Sequence, residues 1–181
     1  MINAQRADAS ESTSAVIEAS YDALITLVQG SCNDSNPSLQ KMLTGILFSL
    51  EQTIVNASVN NEIVQTYLCG LVQVIMSRIG DMVDTETGVK IQKLIIMIFE
   101  QHQRVTEFGL TAYQGLCSGL KERIDINLFG KYIFAALEQD EDEDVTRLAI
   151  GVVGDLSLAL GDQIEAYLSS LIPHLLNVLR N

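Results

Sequence analysis

Apolar residues recur along this chain at spacings of three and four, the pattern of helices that each bury one stripe. Ala15, Ala19, Ala23, Leu24, Leu27 and Val28 form the first stripe and predict a helix over residues 12–29. Residues 1–11 are polar and read as a disordered lead-in. Gly30 and the polar stretch around Asn33 end the helix. Asn36 suits an N-cap and Pro37 a first turn, so a second helix follows to Val55. Its stripe is Leu39, Leu43, Ile46, Leu47, Leu50 and Ile54. The third, 62–82, is apolar nearly all round and must be covered on several sides. Further helices are predicted over 87–100, 104–120, 126–138, 145–160 and 163–179. Asp125 suits the cap of the sixth, and Pro173 would kink the eighth. No segment alternates with period two, so no sheet is expected.

Two of these helices look alike. Residues 105–120, VTEFGLTAYQGLCSGL, and 145–160, VTRLAIGVVGDLSLAL, lie forty positions apart. Val105/Val145, Thr106/Thr146, Leu116/Leu156 and Leu120/Leu160 are identical, and Leu110/Ile150 keeps its class. SYDAL at 20–24 lies under AYQGL at 112–116 and VVGDL at 152–156. Helices one, five and seven are thus one kind, helix three joins them by alternation, and the even helices form a second layer. The class is all-α: an α-α superhelix of about eight antiparallel helices. It divides into a half repeat 12–30, helix pairs 36–82, 87–120 and 125–160, and a half repeat 162–180. Helix pairs of about forty residues fit HEAT repeats, whereas tetratricopeptide repeats are shorter. Such a solenoid displays a long surface for other proteins.

The net charge is −12. A surface of that sign repels nucleic acid phosphates and anionic lipid, and attracts basic proteins. No nucleic acid partner and no membrane insertion are expected; the longest purely apolar run, 94–99, is too short to span a bilayer. Residues 1–14 lack the apolar core of a signal peptide. The odd, widely spaced Cys32, Cys69 and Cys117 read as thiols of a reducing compartment.

Catalytic signals are missing. His102 and His174 have no ligand partner at metal spacing. No nucleophile elbow, phosphate loop or dinucleotide fingerprint occurs, so no catalytic, cofactor or metal residue is assigned and the chain is not read as an enzyme. Gly109, Gly115, Gly151 and Gly154 fall within helices and suggest close helix approach. The acidic turn at 138–144 spaces Asp140, Asp142 and Asp144 like a calcium loop but lacks its glycine and terminal glutamate. Two readings stay open for Asp140, Glu141, Asp142, Glu143 and Asp144. They favour the dipole of the following helix, or they contact a basic partner.

Three segments carry a family resemblance. IGVVGDLSLALGDQIEAYLSSLIPHLLNVL at 150–179 contains the core Gly151-Val152-Val153-Gly154-Asp155-Leu156. With ASYDALITLV at 19–28 and VQTYLCGLVQVIM at 64–76, it resembles the HEAT repeats of the importin-β (karyopherin-β) family of nuclear import receptors. Order and spacing match the central-to-C-terminal half, from about Ser14 onward. The resemblance implies a fragment of a longer superhelix, without catalysis, that moves between cytoplasm and nucleus through the nuclear pore of the nuclear envelope. The implied partners are an importin-α adaptor or basic cargo, Ran-GTP, and phenylalanine–glycine nucleoporins. It places Asp22, Glu107 and Asp155 on or near inner helices as contacts for basic cargo. A buried structural role is the rival for Asp155, which precedes core Leu156. Nucleoporin pockets would lie between outer helices such as six and eight. The alternative is a HEAT scaffold of another complex, phosphatase or adaptor-like, without transport activity.

Overall fold

The computed structural model describes residues 2–30, 37–56, 61–138 and 142–180. Their α-helices are α1 (Ile2–Gly30), α2 (Pro37–Val55), α3 (Asn61–Ile79), α4 (Thr85–His102), α5 (Glu107–Leu120), α6 (Ile126–Leu137), α7 (Glu143–Leu160) and α8 (Glu165–Val178). Short 3-10 turns at Gly80–Met82, Lys121–Arg123 and Gly161–Ile164 close α3, α5 and α7. Among the described residues there is no strand.

The starts follow from side chains that accept the free amides of a first turn. Asp84 accepts from Thr87 N at 2.9 Å, Thr106 from Gly109 N at 3.3 Å, Asp125 from Asn127 N at 3.0 Å, and Asp142 from Val145 N at 3.1 Å. The Thr87 bonds also hold the Asp84 carboxyl below its ordinary pKa.

Helices α1, α3, α5 and α7 pack side by side in one layer, and the even helices lie behind them. Each odd helix from α3 on also packs against the even helix before it. This is the two-layer superhelix that the repeat predicts. Its continuous core includes Leu50, Val72, Ile75, Ile95, Leu110, Leu116, Phe129, Val145, Val152 and Leu156, all fully buried. Each such side chain stabilises the fold by about 1.5–3 kcal/mol.

The first helix differs from expectation. It begins at Ile2, so residues 2–11, read as a disordered lead-in, belong to it. No proline or glycine interrupts the chain before Gly30, and Ala4, Ala7 and Ala9 favour the helix. Its packed side is Tyr21, Ile25 and Val28; of the expected stripe only Val28 is buried, and Leu27 is 70% exposed. The alanines of that stripe stay exposed: α1 meets α3 through Tyr21, Ile25 and Val28, and Arg78 of α3 donates to the Gln29 carbonyl at the end of α1. The Tyr21 and Tyr67 rings stack at 5.1 Å and 3°.

Helix α3 is covered by α1, α2 and α5, as its all-round apolarity requires. Over Glu62–Met82 it is long and apolar enough to cross a membrane, yet half of that stretch is buried in this fold. Its contact with α5 is backbone on backbone. A Cβ at Gly115 would lie 2.4 Å from Gln73 Cα, and one at Gly119 2.4 Å from the Met76 carbonyl. The expected close approach thus holds at Gly115. At Gly154 it does not: nothing lies within 4 Å.

Candidate functional site

The odd-helix layer carries a cleft of about 470 Å³ between α1, α3 and α5. Asp22 of α1, Glu62 of α3 and Glu107 of α5 line it. Ile25, Tyr67, Gly70 and Phe108 supply its apolar and aromatic parts, and Thr66 and Thr111 its hydroxyls. The stacking of Tyr21 on Tyr67 sets the spacing of α1 and α3. Burial, the nearby charge of Glu18, a hydrogen bond to Glu18 and the charge of Asp22 together push the Tyr67 phenol above its usual pKa.

One cation belongs to this cleft. Arg104, in the turn before α5, donates to Glu62 at 3.2 Å and reaches Asp142 at 3.9 Å. The turn is held by Gln103 in the left-handed region and by Arg104 N donating to the Phe99 carbonyl at 3.2 Å. Behind it, buried Gln65 donates to Gln101 at 2.9 Å, and its oxygen lies 2.8 Å from His102 Nε2. Since that oxygen only accepts, Nε2 carries the proton. This places His102 in the structural role its helix-end position suggests.

The structure therefore brings Asp22 and Glu107 to one cleft and leaves Asp155 apart. Asp155 sits on α7 in the α5–α7 seam, half-buried. Partial burial raises its pKa and a hydrogen bond from Gln114 offsets part of that. Asp142 caps α7, and Glu143 and Asp144 lie in its first turn, where their charge favours the helix dipole. Asp144 also pairs with Arg147 at 2.7 Å. Asp140 and Glu141 lie outside the described residues, as does Cys32.

Sequence reasoning missed Glu62, Tyr67 and Arg104. Glu62 was findable, because it opens α3 as Glu107 opens α5. Arg104 was not, since its partners come from α3 and the cap of α7.

Several clefts open on the even-helix layer, and two of them bear on docking. One of about 690 Å³ lies between α2 and α4, with Glu51, Lys90, Lys93, Leu94 and Met97 in its walls. The other, about 240 Å³, lies between α6 and α8, lined by Ile133, Phe134, Tyr167 and Leu171. The buried thiols are inert: burial pushes Cys69 up to about 12 and Cys117 still higher. Among the described residues no group of three His, Cys, Asp or Glu side chains is placed to hold a metal.

Comparison with known proteins matches this architecture. Residues 2–181 match the family described as "Importin subunit beta-1-like, TPR repeats". The repeat name differs from the HEAT reading, but both denote stacked helix pairs, and the forty-residue period here is the longer one. The chain is 25% identical to importin subunit beta-1 of Schizosaccharomyces pombe over 174 residues, covering 89% of this chain and 20% of that protein. It is 26% identical to importin subunit beta-1 of Arabidopsis thaliana over 190 residues, covering 96% and 21%. A crystal structure of importin beta in an ammonium sulfate condition superposes with a TM-score of 0.85 at 26% identity, over 93% of this chain and 21% of that one. The chain thus spans about a fifth of the length of these relatives. With a family match along nearly its whole length and a shared solenoid, this chain belongs to the importin subunit beta-1-like family.

Proposed function

We propose that this chain is a non-catalytic segment of a nuclear transport receptor, and that its inner cleft takes basic side chains of an importin-α adaptor or cargo. The observation that carries the reading is the convergence of Asp22, Glu62 and Glu107 on one cleft. A lysine or arginine entering it meets carboxylates, with Tyr67 available for cation–π contact. The chain's excess of acidic groups steers basic partners toward it. On the same reading, phenylalanine–glycine nucleoporins dock in the apolar clefts between even helices, α6–α8 among them. Ran-GTP releases cargo on the nuclear side, and the protein cycles between cytoplasm and nucleus through the pore.

The test titrates the full-length protein with a labelled basic adaptor peptide, beside a variant carrying Asp22→Asn and Glu107→Gln. Affinity should fall ~10-fold at low salt, with a shallower salt dependence. Unchanged affinity and salt slope would sink the cleft as the site. Failure to retain Ran-GTP or nucleoporin repeats on the unmodified protein would sink the transport reading.

A further inference from the structure

We infer that this solenoid yields at the seam between α5 and α7, while the seam between α3 and α5 is locked. The inference rests on packing and stands whether or not the inner cleft takes basic peptide.

The locked seam has no side chains to spare. Gly115 and Gly119, one turn apart on α5, press their backbone on that of α3, and a Cβ at Gly80 would lie 2.1 Å from Gly119 Cα. Backbones in such contact cannot slide or roll without clash. Polar contacts cross the same seam at both ends. Arg123 donates to the carbonyls of Gly80, at 2.7 Å, and Val83. Lys121 pairs with Asp81 at 2.9 Å, and Arg104 with Glu62 at the other end.

The next seam replaces the glycine contact and lengthens the tie at its N-terminal end. Forty residues after Gly115 and Gly119 stand Asp155 and Ala159. Asp155 fills the seam with a half-buried carboxylate held by the amide of Gln114. Gly151 would meet only Gln114 Nε2, at 3.1 Å, the end of a flexible side chain. The Arg104–Asp142 pair is long, at 3.9 Å. Side chains such as Gln114 and Asp155 can exchange each other for water as the seam opens, which is how packed helices shear at small cost.

The layer behind supplies a pivot. Phe99 of α4 meets Phe129 edge-on at 6.4 Å and Tyr132 at 5.2 Å, and Tyr113 of α5 stacks on Phe129 at 3.7 Å. Opening α5 from α7 about this aromatic cluster changes the curvature of the inner face and leaves the core between the layers closed.

Spin labels in the full chain test this, with Cys32→Ser to remove one thiol and buried Cys69 and Cys117 left unlabelled. One pair, Ser77→Cys with Ser118→Cys, spans the locked seam; the other, Ser118→Cys with Leu158→Cys, spans the compliant one. The distance distribution across α5–α7 should be about twice as broad as that across α3–α5. Equal widths, or a broader α3–α5 distribution, overturn the proposal. Asp155→Gly with Ala159→Gly should narrow the α5–α7 distribution, and an unchanged width in the folded variant refutes the assigned cause. Gly115→Ala should broaden α3–α5 in turn; an unaltered narrow distribution there overturns the lock.

Discussion

Helices α5 and α7 are copies forty residues apart, and the chain treats them differently. Leu110 is fully buried in α5, flanked by α3 and α7; its counterpart Ile150 on α7 is 42% exposed. Lys121 ends α5 with φ 52° and ψ −129°, and Gly161 ends α7 with φ 53° and ψ −128°. The backbone turn is thus preserved although one copy places a lysine where glycine belongs. What repeats is geometry and the apolar core. What varies is the residue at each seam and each end, and those residues decide where the stack is rigid and where it carries charge.

The largest contrast is in the core. Leu110→Ala should lower stability by about 2–5 kcal/mol, because a buried aliphatic side chain leaves a cavity. Ile150→Ala should cost less than about 1 kcal/mol at its exposed site. Urea denaturation followed by circular dichroism measures both. Similar losses would mean that the two copies share one environment in solution.

A smaller effect is expected at the turns. Lys121→Gly should raise stability by about 1 kcal/mol, since a lysine in this positive-φ conformation is strained. The Lys121–Asp81 pair it removes is more than half exposed on both sides and contributes little. A fall in the denaturation midpoint would assign the pair the larger share.

The smallest effect concerns Asp155 against Gly115. Partial burial holds its carboxyl above the ordinary aspartate value of 3.8, so the fold favours the protonated form. That stabilising share is complete below 3.8 and is lost as pH rises through the folded value. Asp155→Asn should therefore raise the melting temperature slightly at neutral pH, and the gain should fade on acidification. A gain that is constant with pH would point to packing instead of charge.

The fold was legible because its signals are local. Stripes at spacings of three and four mark each helix, Asp84 and Asp125 announce helix starts, and the 105–120 and 145–160 copies set the layer order. The buried face of α1 was not legible. Val16, Leu24, Ile25, Leu27 and Val28 offer several stripes, and contacts with α3 such as the Tyr21–Tyr67 stack and the Arg78–Gln29 bond choose among them. The inner cleft was half legible. Asp22 and Glu107 stand on aligned helices, but Arg104 enters through a turn whose partners lie 42 and 38 residues away in sequence. The separation of Asp155 from that cleft depends on the direction in which α7 leans on α5, which no single-helix pattern encodes.

The apolarity of α3 has a consequence during synthesis. Glu62–Met82 could pass for a bilayer-spanning segment, and what hides it on one side is α5, which the ribosome makes later. At roughly 5–20 residues per second, the stretch from Met82 to the end of α5 at Leu120 takes on the order of 2–8 s. During that interval α1 and α2 are the helices already available to shield Ile75, Met76 and their neighbours from targeting factors and chaperones. The order of repeats along the chain is therefore also a schedule for concealing its most membrane-like surface.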